Sequence, residues 1–121
     1  MKRDMDLVRE ILLKVEDLPF DGQFHDVLVD GRLDEEINYH TMLLHEAGFI
    51  QAMDLTTLDC ICWKAMRLTY SGHEFLDAAR SDTVWTKAKA WTLKTTGTLT
   101  LEGLKIALPQ VVKALIESGG F

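Results

Sequence analysis

A chain of 121 residues, 47% hydrophobic and 26% charged, is long enough to bury the core of one domain without disulfides or metals. Its apolar runs are shorter than the roughly 18 residues that a membrane span needs, and its charged start excludes a secretory signal. The net charge of −6 is uneven: residues 1–79 hold 7 Lys/Arg against 16 Asp/Glu, and residues 80–121 hold 6 against 3, which argues against a basic nucleic-acid binder.

The first predicted element is an amphipathic helix at residues 4–18. Four apolar residues repeat there at i, i+3, i+4 and i+7, namely Val8, Ile11, Leu12 and Val15. Asp4 or Asp6 can cap its start. Pro19 and Gly22 break the pattern, and residues 24–30 follow as a short strand or an extended connector.

A second helix is predicted at residues 34–47. Asp34 suits its N-cap, and the glutamates that follow suit the positive end of the helix dipole. Its inner face holds Ile37, Leu44 and Ala47. Gly48 suits the left-handed position that ends a helix.

A hairpin follows this helix. Residues 49–53 and 61–69 contain β-favouring side chains on either side of a long tip, "DLTTLD". Residues 71–74, "SGHE", match the capping box that starts a helix.

Two further helices are predicted in the last third of the chain. Ser81 or Asp82 can cap one that reaches about residue 94, and the loop "TTGT" follows it. The last runs from Thr100 to about residue 118 and ends at Gly119-Gly120, and Pro109 is expected to kink or restart it.

The order helix, short strand, helix, hairpin, helices predicts a mostly helical α+β fold. A hairpin directly after a glycine-stopped helix is the arrangement of a winged helix. We therefore predict a winged-helix domain at residues 1–80. Residues 81–121 form a C-terminal helical extension that packs on this domain or on a partner chain.

Several blocks of the chain resemble the YjcQ-like proteins, a family of small prophage-associated proteins. These blocks are "MKRDMDLVREILLKVE", "INYHTMLLHEAGFI", "RLTYSGHEFLDAARSDTVWTKAK" and "GTLTLEGLKIAL". The resemblance implies a winged-helix fold and a phage or prophage setting. It implies no catalytic site.

A winged helix often binds DNA through the helix before its hairpin, which here is helix 34–47. That helix contains three glutamates and no Lys or Arg, so it lacks the charges that neutralise phosphates. Candidate contact residues are Arg32 before this helix, Asn38 and Tyr39 on it, and Lys64 and Arg67 on the wing. We favour the interpretation that this helix presents a solvated or protein-facing surface. The alternative is that the helix and the wing bind DNA.

A second basic cluster contains Arg80, Lys87, Lys89 and Lys94, interleaved with Trp85 and Trp91. Lysines beside aromatic rings can bind phosphates and stack bases. Lysines on the outer face of an amphipathic helix are also ordinary, and the spacing of the tryptophans suits packing. Packing is the favoured interpretation.

The sequence predicts neither catalysis nor a cofactor. His40 lies near the buried face of its helix and is expected to be a packing residue, and the zincin spacing is missing around His45 and His73. Cys60 and Cys62 are too close for a good disulfide and too few for a zinc site, so reduced thiols and a cytoplasmic location are expected.

The last helix is apolar over more than one face. Its apolar residues are Leu99, Leu101, Leu104, Ile106, Leu108, Val111, Val112, Leu115 and Ile116. A helix packed on one side needs a stripe of only ~100°. We expect a non-enzymatic module that binds a protein partner or a second copy of itself as a homodimer, with burial inside its own chain equally open.

Overall fold

The computed structural model describes residues 1–119 and has the mostly helical α+β fold that the sequence predicts. Within this range the elements are α1 (Met5–Glu16), α2 (Asp34–Glu46), β1 (Ile50–Asp54), β2 (Trp63–Leu68), α3 (Tyr70–Ala79), α4 (Asp82–Thr96) and α5 (Leu101–Glu117). The chain divides into two compact units, Met1–Glu74 and a second that begins at Phe75. No helix within residues 1–119 is long and apolar enough to cross a membrane.

Helix α1 forms as predicted, with Asp4 as its N-cap. The Asp4 carboxylate accepts hydrogen bonds from the backbone N–H groups of Asp6 (3.0 Å) and Leu7 (3.2 Å). The buried face contains the four predicted residues and two more: Met5, Leu7, Val8, Ile11, Leu12 and Val15. This face belongs to the core of the first unit.

Helix α2 differs from its prediction at both ends. Leu33 occupies the N-cap position, and Asp34, predicted as the N-cap, is the first residue of the helix. The negative charge of Asp34 therefore interacts with the helix dipole, and its side chain does not cap the helix. Ala47 is exposed, because it lies after the last turn. The buried positions are Ile37, His40, Thr41 and Leu44, which repeat at i, i+3, i+4 and i+7. Gly48 follows with φ of +79°, as predicted.

Strands β1 and β2 pair as an antiparallel hairpin from Ile50↔Leu68 to Asp54↔Trp63. Strand β1 has the predicted length but is shifted by one residue, and β2 is shorter than predicted. Residues 24–30, predicted as a short strand or an extended connector, form a connector with a single bridge. There the N–H of His25 donates to the carbonyl of Ala65 (2.7 Å), and the N–H of Ala65 donates back (2.9 Å).

Helix α3 begins before the predicted capping box at residues 71–74. Thr69 provides the cap, since its hydroxyl accepts a hydrogen bond from the N–H of Gly72 (3.1 Å). Ser71 therefore lies inside the first turn. Gly72 packs directly against the backbone of Phe49, where a Cβ atom would overlap the Phe49 carbonyl oxygen.

In the second unit, α4 packs against α5. Ser81 caps α4 as predicted, and the helix continues to Thr96, two residues further than expected. Thr100 caps α5, which runs through Pro109 to Glu117 as one helix, so the predicted restart at Pro109 is wrong. Pro109 is exposed, where its missing N–H costs least. Gly119 has φ of +69°, and Gly120 lies outside the described residues.

Candidate functional site

A cleft of about 660 Å³ opens beside the N-terminal half of α2 in the first unit. We call it the α2–hairpin cleft. Its lining residues lie in the connector at 26–28, in the first turns of α2 (Asp34, Glu35, Ile37 and Asn38), and in the hairpin loop and first residue of β2 at 57–63. It therefore lies between the two elements that a DNA-binding winged helix would use.

Three large apolar side chains line the α2–hairpin cleft and face solvent. Leu28 is 69% exposed, Ile61 is 63% exposed, and Leu58 is fully exposed. Scattered exposed leucines are ordinary on protein surfaces, but a cluster in one cleft is typical of a binding site. Trp63, which is partly buried, closes the wall between the loop and β2.

The same cleft is acidic. Asp26, Asp34, Glu35 and Asp59 contribute carboxylates to it, and none of its lining residues, all within the described range, is Lys or Arg. Asp34 and Glu35 lie in the first turn of α2, where negative charge interacts favourably with the helix dipole. The cleft thus combines exposed apolar surface with negative charge.

Asn38 holds one side of the cleft to the other. Its Nδ2 donates to the carbonyl of Asp34 (2.9 Å) in α2 and to the carbonyl of Ile61 (3.2 Å) in the hairpin loop. Its Oδ1 accepts a hydrogen bond from the backbone N–H of Trp63 (2.8 Å). Asn38, predicted as a base-contacting candidate, is therefore engaged in positioning the hairpin against α2.

Arg32, another predicted contact residue, ties three acidic side chains together. Its Nη1 donates to the Asp4 carboxylate (2.7 Å) and lies 3.6 Å from that of Glu36. Its Nη2 lies 3.4 Å from the Glu10 carboxylate. The guanidinium links the cap of α1, the body of α1 and the start of α2, so its charge is already neutralised by the chain.

The other candidates of the first unit also have intramolecular contacts. The Tyr39 ring makes an edge contact with the His40 ring (5.6 Å between centroids). Lys64 Nζ lies 3.7 Å from a carboxylate oxygen of Asp26. The Arg67 guanidinium donates to the Gln51 side chain (3.0 Å) and to the carbonyl of Leu68 (3.1 Å).

The three lysines of the predicted basic cluster lie on α4, in the second unit. Lys87 and Lys94 are exposed, and Lys89 Nζ lies 5.9 Å from the centre of the Trp85 ring. Trp85 is buried and packs edge-on against Phe75, as the packing interpretation expects. Trp91 is partly exposed. The structure thus distributes the sequence-predicted candidates over both units.

The buried histidine is a structural residue, as predicted. His40 Nε2 accepts a hydrogen bond from the backbone N–H of Asp4 (2.8 Å), which places the ring proton on Nδ1, and Nδ1 donates to the carbonyl of Glu36 (2.8 Å). Cys60 and Cys62 are free thiols in the hairpin loop. Within residues 1–119 no three His, Cys, Asp or Glu side chains are grouped to hold a metal ion.

The Asp4 carboxylate has a pKa below its ordinary value. Burial by itself raises this pKa, but the hydrogen bond from Arg32, the N–H groups of Leu7 and Asp6 and the charge of Arg32 together outweigh it. A carboxylate whose pKa is lowered by folding stabilises the protein above the pKa of its unfolded form. That contribution is lost as the pH falls through the lower, folded value.

We expect Arg32→Met to lower the free energy of unfolding by about 1 kcal/mol at pH 7, since it removes partly exposed ion pairs but keeps the aliphatic stem. The loss should shrink as the pH falls through the lowered pKa of Asp4, because a protonated carboxyl no longer pairs with Arg32. Urea unfolding of both proteins between pH 7 and 2.5 measures this difference. Arg80→Met, which removes an exposed pair with Asp77, is the matched control. A penalty for Arg32→Met that does not change with pH would contradict the role of Asp4.

Comparison with known proteins places the chain in a family. The family described as "Hypothetical protein (DUF2513)" matches residues 2–98. The chain belongs to the DUF2513 family. The matched DUF2513 range contains the first unit except its first residue, and so includes both the α2–hairpin cleft and the Arg32 cluster.

A relative from Haemophilus influenzae extends the comparison to α5. It is 35% identical over 119 residues, which cover 96% of this chain and 99% of the relative, and it is described as "Uncharacterized protein". No solved structure matches the chain. The DUF2513 match does not bear on the resemblance to YjcQ-like proteins, which stays a prediction.

Proposed function

We propose that this protein is a non-enzymatic winged-helix module that binds a partner protein in the α2–hairpin cleft. The order α1, the His25 bridge, α2 and a hairpin after Gly48 supports the winged-helix interpretation. In this interpretation β1 and β2 form the wing, and α2 is the helix that DNA-binding relatives of the fold insert into the major groove. The proposed phage or prophage setting rests only on the resemblance to the YjcQ-like proteins.

The chemistry of the cleft carries the proposal. Four carboxylates line the cleft together with exposed Leu28, Leu58 and Ile61, at the place where a DNA-reading winged helix needs positive charge. One of the four, that of Asp26, is paired with Lys64. Such a surface complements a peptide segment in which Lys or Arg alternates with large apolar side chains. The apolar contacts would supply most of the affinity, and the carboxylates would supply orientation and rate of association.

DNA binding is the alternative that the same surface disfavours. A phosphate backbone approaching α2 would meet Asp34 and Glu35, and the nearby Arg32 is neutralised by its own three carboxylates. The described lining of the cleft contains no Lys or Arg, so the release of counterions that drives non-specific DNA binding is missing there. Asn38 would also have to give up its bonds to the hairpin before it could contact a base.

The test uses fluorescent peptides of defined charge. We expect a twelve-residue peptide of alternating Leu and Lys to bind at least about tenfold more tightly than its Leu and Glu counterpart, because only the first complements the carboxylates. Fluorescence anisotropy measures both affinities, at low and at physiological salt. A labelled random duplex at low salt is the third probe, and tight, salt-sensitive duplex binding would replace the proposal with the DNA alternative.

Variants locate the site. Glu35→Gln combined with Asp59→Asn, and separately Leu58→Ser, should each weaken binding of the Leu and Lys peptide by roughly fivefold or more. Glu46→Gln, on α2 but outside the cleft, and Phe20→Ser, an exposed apolar residue elsewhere, are the matched controls. Equal losses in the cleft variants and the controls would show that the peptide binds by general charge and not in the cleft.

A further inference from the structure

Helix α5 has an exposed apolar face in addition to its buried one. Leu104, Leu108, Val111 and Leu115 are buried, whereas Ile106 is 59% and Ile116 is 64% exposed. The exposed face also contains Pro109 and the partly buried Val112, so that its apolar residues recur every three or four positions. A helix packed on one side only would carry polar residues at these positions.

This face forms one wall of an open groove of about 730 Å³ in the second unit. Ala78 and Val84, from the end of α3 and the start of α4, lie on the other side of it. Pro109, Val112 and Ile116 line it from α5. The groove is separate from the α2–hairpin cleft, so the inference below does not depend on the proposed function.

We propose that a second copy of this chain covers the exposed face, with the two α5 helices antiparallel around a twofold axis. The charges on the face support this choice of occupant. Along α5 they run Glu102, Lys105, Lys113 and Glu117, an arrangement with no net charge. Within one chain Glu102 lies 3.3 Å from Lys105, and Glu117 lies 4.0 Å from Lys113. Two copies of this neutral face therefore do not repel each other, whereas two copies of the acidic residues 1–79 would.

One antiparallel register satisfies both the charges and the apolar residues. With the twofold axis midway between residues 107 and 108, Glu102 lies opposite Lys113 of the second copy, and the pair occurs twice by symmetry. The same axis places Ile106 opposite Pro109 of the second copy, at the end of its groove. On a helix, positions 102, 106, 109 and 113 fall on one side, so one face can make all these contacts.

The size of the contact sets the expected affinity. A helix of 17 residues is about 25 Å long, and one such pair with its groove walls falls at the small end of specific interfaces. We therefore expect a dimer with a dissociation constant in the micromolar range. Its fraction should change with protein concentration, so the measurement must cover a range of concentrations. Light scattering after size exclusion, from about 5 to 500 μM, covers that range.

We expect the mass to rise with concentration from 13.7 kDa toward twice that value. Ile106→Lys should abolish the rise, while Leu93→Lys, on α4 and 47% exposed, should leave it unchanged. Both sites are exposed, so circular dichroism should show folded protein in each case. A constant 13.7 kDa species across the range would overturn the proposal, even if the peptide binds the α2–hairpin cleft.

Charge reversal tests the register. Glu102→Lys and Lys113→Glu should each weaken the dimer by about tenfold, since each converts two symmetric attractions into repulsions. The double variant restores both attractions and should return the dissociation constant to within about twofold of the original protein. If the single variants weaken the dimer and the double variant does not restore it, this register is excluded. If none of the three variants changes the dissociation constant, the α5 interface is excluded.

Discussion

Replacing Gly72 with alanine is expected to lower the free energy of unfolding by at least about 3 kcal/mol. The added Cβ would overlap the carbonyl oxygen of Phe49, a residue that is itself buried. This carbonyl cannot simply move away, because it accepts the hydrogen bond from the N–H of Thr69 (2.9 Å) that joins the start of α3 to the start of the hairpin. Relief of the overlap would therefore break that junction.

Urea unfolding followed by circular dichroism measures this effect. Ser71→Ala is the matched control, because it adds no atoms at the neighbouring exposed position of the same helix, and it should change stability by less than about 0.5 kcal/mol. Intrinsic helix propensity favours alanine over glycine by about 1 kcal/mol, so propensity and packing predict opposite signs for Gly72→Ala. A stabilised variant would mean that α3 does not approach Phe49 this closely.

His40→Ala is expected to lower the free energy of unfolding by about 3 kcal/mol. The ring is buried between α1 and α2, so its removal leaves a cavity. The backbone N–H of Asp4 also loses its acceptor, and an unsatisfied donor adds about 1 kcal/mol or more. Both losses occur at the N-terminus of α1, where Asp4 also caps the helix and binds Arg32.

Two further variants separate these contributions. His40→Phe keeps a ring of similar shape but lacks the acceptor, so it should cost less than His40→Ala and still be destabilising by about 1 to 2 kcal/mol. His73→Ala, at an exposed position of α3, should be within about 0.5 kcal/mol of the unchanged protein. If His40→Ala behaved like His73→Ala, the contact between His40 and the Asp4 N–H would have no energetic role.

Local signals in the sequence were enough to place most elements. Asp4, Ser81 and Thr100 each precede an amphipathic repeat, and each caps the helix that was predicted after it. Gly48 was recognisable because few other residues adopt a positive φ after a helix. These features depend on residues within one turn of each other, which is why the sequence alone reveals them.

Features that depend on distant residues were not predicted. The capping box at residues 71–74 matched a common pattern, yet Thr69 caps α3, because Gly72 must lie against Phe49, 23 positions earlier. The sequence offers Arg32 and Asn38 only as candidate contact residues, because they lie in or just before helix 34–47. Arg32 binds Asp4, which is 28 positions away, and Asn38 binds Trp63, which is 25 positions away. Only the folded structure reveals such contacts, because the local sequence pattern does not contain both partners.

The candidate site was visible in part. The acidic start of α2 was read directly from the sequence, and it already disfavoured DNA. The hairpin loop was predicted as a tip, but nothing local indicated that Leu58 and Ile61 would stand beside those carboxylates across a cleft. The bonds from Asn38 to Ile61 and Trp63 create that neighbourhood.

The position of Trp63 supplies an optical probe of the α2–hairpin cleft. Its backbone is fixed by Asn38, its indole stands 5.7 Å from the His45 ring, and it forms part of the cleft wall. The other two tryptophans, Trp85 and Trp91, belong to α4. With both replaced by phenylalanine, the tryptophan fluorescence excited at about 295 nm would come from Trp63 alone. A ligand that displaces water from the cleft would shift this fluorescence to shorter wavelength, so no attached dye is needed.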